Sequence, residues 1–173
     1  MLILIIFPSM SWMLFSYLMF LSQTQGEVLQ RKLNTVWMNC PEDSVLYDTY
    51  CYNLFMTPVN WMDANIACQK QQLGHLAFMF NKSEASFLAS LIKHHIIHYS
   101  DVWIGLHDPT EGHKPRTGWE WSSKTALNYL AWEKRPPSIR DATFCGSLTR
   151  RSGYVKWKAY DCKTKLPVCK FKK

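Results

Sequence analysis

Apolar positions dominate the start of the chain and thereafter recur with two different periods. From Met1 to Leu21 nearly every residue is apolar, with Pro8-Ser9 interrupting the run and Ser16 alone breaking the stretch from Trp12 to Leu21. A small, polar exit follows, Ser22-Gln23-Thr24-Gln25-Gly26, and Glu27 is the first charged residue. The uninterrupted part is shorter than the ~20 residues a membrane span requires. Residues 1–26 therefore read as a secretory signal peptide cut after Gly26, leaving no membrane span in the mature chain. The missing basic residue at the amino end departs from that pattern and keeps a signal anchor as the alternative. Residues 27–39 are polar and mixed, a flexible amino-terminal segment ahead of a domain over 40–173.

Helical spacing comes next. Asn60 followed by Asp63 predicts a capped helix with Trp61, Ala64, Ala67 and Cys68 on one face and Gly74 just past its end. Asn81 with Glu84 three residues later repeats the pattern and opens a helix in which Phe87, Leu88, Leu91 and Ile92 share a face. After Ser100 the period shortens to that of strands: Val102–Leu106, Trp119–Trp121, Thr143–Leu148, Tyr154–Lys158 and Leu166–Phe171. The stretch between Leu106 and Phe144 is rich in turn formers, with Asp108-Pro109, Lys114-Pro115 and Pro136-Pro137. A connection of that length inside a domain is usually functional. Two helices followed by several aromatic-rich short strands, with a long-loop region among them, make the fold class α+β.

Composition narrows the function. With 47% hydrophobic and 19% charged residues, the chain can build a core and is not a disordered tail. Its net charge of +7 is uneven: residues 27–113 hold 5 basic and 9 acidic residues, and residues 114–173 hold 15 basic and 4 acidic. A cationic half attracts polyanions; export leaves nucleic acid out as a partner. Six cysteines, Cys40, Cys51, Cys68, Cys145, Cys162 and Cys169, all follow the signal, so three disulfides are expected, their pairing open from spacing alone. The absence of Cys-x-x-Cys argues against a zinc ribbon or a redox dithiol.

Individual residues suggest several sites. Lys156 and Lys158 alternate around Trp157, so on a strand they share one face, and Lys163, Lys165, Lys170, Lys172 and Lys173 join Arg150 and Arg151 in the same basic carboxy-terminal half. His94 and His98 would stand one turn apart if the second helix reached that far, a weak zinc pair; no His-Glu-x-x-His accompanies them. Asn81-Lys82-Ser83 is an N-glycosylation sequon. No nucleophile elbow or phosphate loop is present, so neither an enzyme nor a cofactor is expected.

Cys40-Pro41, Tyr50-Cys51-Tyr52, Trp61 with Ala64 and Cys68, Trp103-Ile104-Gly105-Leu106, Trp119-Glu120-Trp121, Trp157 with Cys162, and Pro167-Val168-Cys169-Lys170-Phe171-Lys172 together resemble the C-type lectin-like domain. Leu18 to Gln23, Trp103 to Pro109 and Cys169 to Lys172 are similar to the regenerating (Reg) group, the pancreatitis-associated or lithostathine proteins. His107 to Thr110, Gly118 to Ser123 and Asn128 to Leu130 resemble its third, antibacterial subgroup. The resemblance implies two helices packed on short antiparallel sheets with a long-loop region, and disulfides Cys40–Cys51, Cys68–Cys169 and Cys145–Cys162.

It also implies where ligands would sit. Calcium lectins of this kind supply oxygen ligands from a Trp-Asn-Asp strand and a loop carboxylate. Here Lys158 and Ala159 follow Trp157, and the loop reads Arg135-Pro136-Pro137, so calcium-independent binding is expected. The antibacterial group's Glu-Pro-Asn corresponds to Lys114-Pro115-Arg116, where two cations suit phosphate, sulfate or carboxylate. The expected function is secreted, non-catalytic binding of glycans or polyanions, namely bacterial cell wall such as peptidoglycan, anionic lipid or sulfated glycan, in epithelial defence. The alternative is a secreted growth factor acting through a cell-surface receptor.

Overall fold

Side-chain caps begin both helices at the two asparagines named above. The computed structural model describes residues 15–23, 25, 27, 40–96, 100–111, 113, 118–135 and 144–173. Asn60 Oδ1 accepts the Asp63 N–H at 2.8 Å, starting α1 (Trp61–Cys68), and Asn81 Oδ1 accepts the Glu84 N–H at 2.9 Å, starting α2 (Lys82–His95). Each such cap contributes about 1 kcal/mol. Helix α1 buries Trp61, Ala64, Asn65 and Cys68; α2 buries Ala85, Leu88, Ala89, Leu91 and Ile92. Phe87 is half-buried and stacks on Tyr47, ring centroids 4.4 Å apart. Gly74 lies well beyond the last residue of α1 and serves another purpose: a Cβ there would fall 2.2 Å from the Cys68 carbonyl oxygen.

Among the described residues eight strands form one sheet: β1 (Val45–Tyr47), β2 (Tyr50–Leu54), β3 (His75–Leu76), β4 (Val102–His107), β5 (Glu120–Trp121), β6 (Cys145–Leu148), β7 (Trp157–Tyr160) and β8 (Leu166–Lys172). The order is β1-β2-β8-β4-β6-β7, with β3 also on β8 and β5 also on β4. The sheet is mixed, which corrects the antiparallel expectation: β4 and β8 run parallel, Val102 opposite Leu166 and Trp103 opposite Pro167. These are the central strands, buried on both faces along almost their whole length, the environment in which parallel pairing is found. Strand β7 starts at Trp157 rather than Tyr154, because Gly153 (φ 68°) and Tyr154 (φ 63°) turn the chain through left-handed backbone.

The disulfides pair Cys40–Cys51, Cys68–Cys169 and Cys145–Cys162. The second ties α1 to β8 across 101 residues, worth roughly 4–5 kcal/mol in the chain-entropy account. One buried cluster joins Leu88 and Ile92 of α2 to Ile104, Trp121, Trp157 and Val168 of the sheet. A second gathers Trp61, Trp103, Phe171 and the Cys68–Cys169 pair. The indoles of Trp61 and Trp103 donate to the carbonyls of Ile104 and Val59, at 2.8 and 3.0 Å.

The chain divides into two units, Met1–Asn39 and Cys40–Lys173. In the first, residues 15–23 are helical with exposed apolar side chains. Among the described residues no helix is long and apolar enough to cross a membrane. The expected flexible segment 27–39 lies, apart from Glu27, outside the described residues.

Candidate functional site

The β6–β7 hairpin carries four cations, Arg150, Arg151, Lys156 and Lys158, among the described residues. Its strands pair antiparallel, Ser147 opposite Lys158 and Leu148 opposite Trp157. Trp157 is fully buried against Trp121, Tyr129 and Trp132, with ring centroids 5.3, 5.6 and 5.8 Å away. Alternation along the backbone then turns the flanking Lys156 and Lys158 outward, and both are exposed. The connection between the strands is a short 3-10 turn, Arg150–Ser152.

An aromatic platform supports the lysines. Lys158 Nζ lies 4.8 Å from the Tyr160 ring centre; Lys165 Nζ lies 3.8 Å from that ring and 5.0 Å from the Trp103 indole. Tyr160 donates its hydroxyl to the Asp101 carboxylate. Burial, then that hydrogen bond, raises the Tyr160 phenol above its ordinary range, so it stays neutral. Burial pulls the Lys165 ammonium below its ordinary value; Asp101 and Asp161 oppose that, and Lys158 adds to it.

The neighbouring carboxylates are engaged. Asp101 also accepts the Arg150 N–H at 2.8 Å; Glu133 accepts the Thr149 hydroxyl at 2.7 Å and faces Arg151 at 3.5 Å; Asp161 pairs with Lys163 at 3.0 Å. Among the described residues neither Lys156 nor Lys158 is paired with a carboxylate. Beside them Ser100, Asp101, Arg150 and Arg151 line an open cleft of about 590 Å³, one edge held by the Tyr154 hydroxyl on the Ser100 carbonyl at 3.1 Å. The hairpin presents positive charge on a rigid support, an arrangement that attracts phosphate, sulfate or carboxylate.

Other expected sites fare differently. Lys114, Pro115 and Arg116 lie outside the described residues, but the base of their loop is defined. Asp108 is buried and its Oδ1 accepts the N–H and hydroxyl of Thr110, at 2.9 and 2.6 Å. Gly118 packs so closely on it that a Cβ would fall 2.2 Å from the same oxygen. The His94–His98 zinc pair does not form along one helix: α2 ends at His95, Ile96 is extended, and His98 lies outside the described residues. No group of three metal-ligating side chains occurs among the described residues.

At the position where the resemblance puts calcium ligands, the donor set does not fit. Lys158 offers an ammonium, Ala159 a methyl and Arg135 a guanidinium, whereas calcium requires six to eight oxygens. Sequence reasoning missed Asp101, Trp103 and Tyr160 as supports of the site. Tyr160 had a signal, its place two residues after Lys158 on the same strand; Trp103 on β4 and Asp101 just before that strand are distant in sequence and had none.

Residues 57–171 match the family model for the Lectin C-type domain. The chain is 52% identical over 166 residues to lithostathine of Bos taurus, covering 95% of both chains. It is 50% identical over 167 residues to regenerating islet-derived protein 3-gamma of Homo sapiens, again covering 95% of both. The structure superposes on that of human lithostathine with a TM-score of 0.73 at 36% identity, covering 80% of this chain and 94% of that one.

Proposed function

The chain belongs to the C-type lectin family, within its regenerating-protein group, and from that premise we propose that it is a secreted, calcium-independent, non-catalytic protein that binds polyanionic glycans or lipids. The observation that carries this reading is the outward pair Lys156 and Lys158, unpaired with carboxylate among the described residues and flanking the buried Trp157 in the chain. A neutral sugar is recognised by hydroxyl-directed acceptors and, in calcium lectins, by the metal; here cations occupy those positions. Bacterial-surface phosphate polymers and sulfated glycans supply the matching charge.

The test is binding of the secreted chain to immobilised heparin, lipoteichoic acid and peptidoglycan across a salt series. Each exposed lysine contributes on the order of 1 kcal/mol, or about fivefold in affinity, at low salt. Lys156→Ser with Lys158→Ser is therefore expected to weaken polyanion binding about 25-fold and to flatten its salt dependence. Binding that ignores both salt and the substitutions overturns the reading. The second reading, receptor signalling in growth control, is favoured by Lys114-Pro115-Arg116, which departs from the family's sugar-recognising Glu-Pro-Asn.

A further inference from the structure

The sequon Asn81-Lys82-Ser83 lies at the exposed start of α2, with all three residues at the surface. The Asn81 backbone is extended (φ −158°, ψ 176°), and its side-chain oxygen is committed to the Glu84 N–H. The amide nitrogen has no protein partner among the described residues, so a substituent there leaves the helix cap intact. Next to it stands Phe80, 46% exposed although its ring closes over the buried Lys170 ammonium at 4.3 Å. A large aromatic exposed to that degree presents apolar surface to water beside a buried charge.

We propose that Asn81 carries an N-linked glycan whose first sugar ring covers Phe80 and shields the Lys170 cage from water. This rests on the export reading, since the donor, a lipid-diphosphate-linked oligosaccharide, is met in the secretory route. In the transfer, Asn81 Nδ2 forms a bond to the sugar C1 as the C1–O bond to phosphate breaks. The lipid diphosphate leaves with the bonding electrons, and the amide nitrogen gives up one proton. The C–H face of the sugar then meets the Phe80 ring, while Asn81 Oδ1 continues to cap α2.

The experiment expresses the full chain in secreting mammalian cells and treats the medium with peptide N-glycosidase. The secreted chain is expected to migrate faster after treatment. Asn81→Asp, which keeps a capping oxygen, and Ser83→Ala, which leaves Asn81 untouched, are both expected to migrate at the released position without treatment. A secreted chain whose mobility the enzyme leaves unchanged overturns this proposal while export stands. A chain retained in the cytosol and unmodified overturns the export reading and the proposal together. The Phe80 contact has its own readout: the glycosylated chain is expected to unfold at a higher temperature than the released one, and Phe80→Ala to shrink that difference. Equal midpoints overturn the contact.

Discussion

Lys170, fully buried in the central strand β8, donates its ammonium to the carboxylate of Glu84 in the first turn of α2. The rings of Tyr50, Phe78 and Phe80 surround the charge at 4.1, 3.9 and 4.3 Å, and the Phe78 carbonyl accepts from it at 3.3 Å. Glu84 also accepts the Tyr52 hydroxyl and, at 2.8 Å, the Phe80 N–H. Burial lowers the Lys170 ammonium from its ordinary value despite the Glu84 partner, and burial raises the Tyr52 phenol. The pair links helix to sheet through charge, with the Tyr52 hydroxyl of β2 joining the same carboxylate.

Breaking the pair from one side strands the other charge. Lys170→Met removes the cation and leaves the Glu84 carboxylate buried without its counter-charge, a change that costs about 3–5 kcal/mol in comparable buried pairs. Lys170→Met with Glu84→Leu should recover much of that loss. Urea unfolding of the three chains checks both; a single variant within about 1 kcal/mol of the parent refutes the coupling.

Acid should destabilise the domain through His107. Its ring stacks on Trp61 at 4.6 Å and faces Glu120 at 3.4 Å, with Lys124 and Asp108 also near. Burial lowers its pKa below the ordinary 6.5, outweighing the pull of Glu120. The unfolded chain therefore binds the proton more readily, so stability is held above pH 6.5 and declines below it. Unfolding free energy measured between pH 7.5 and pH 5 is expected to fall by at most ~1.4 kcal/mol per pH unit on this account. His107→Gln should flatten that dependence; an unchanged slope assigns it to other groups.

A methyl group at Gly118 has nowhere to go. The Cβ of Gly118→Ala would meet Asp108 Oδ1 at 2.2 Å and Thr110 Oγ1 at 2.6 Å, displacing the turn that closes the long loop. Overpacking of this kind costs about 1–3 kcal/mol. Limited proteolysis should cut the long-loop region of this variant faster than that of the parent, with thermal unfolding reporting the stability loss.

Calcium should leave the unfolding temperature unchanged. A ligand that binds the native state raises stability with its concentration, and Lys158 with Ala159 offers no side-chain oxygen where a lectin's calcium ligands would lie. Thermal unfolding with millimolar calcium and with chelator compares the two states directly. A clear rise with calcium contradicts the assignment of that strand.

Local signals were legible because their physics is local. The Asn60 and Asn81 caps act within three residues, so both helix starts could be read from one line of sequence. The trio Lys156-Trp157-Lys158 announced an exposed–buried–exposed alternation for the same reason. The β7 start was missed because nothing in the spacing shows that Gly153 and Tyr154 take left-handed backbone. The two-residue strand β3 carries too little pattern to be seen at all. The capping motif does not set helix length: α2 ends at His95, and His98 lies outside the described residues.

The sequence by itself determined the fold class, the two helix starts, the even set of cysteines and the concentration of cations after residue 113. Tertiary structure alone decided what each cation became. Lys170 and Lys172 sit two residues apart and both count toward the basic carboxy-terminal half, yet β8 lies at the centre of the sheet, so Lys170 is buried against a carboxylate 86 positions earlier while Lys172 remains exposed. Lys158 and Lys165 likewise meet over one tyrosine only because β7 and the approach to β8 converge there. Charge is a property of the residue; its partner and its solvent are properties of the fold, because contacts between distant segments exist only once the sheet has assembled.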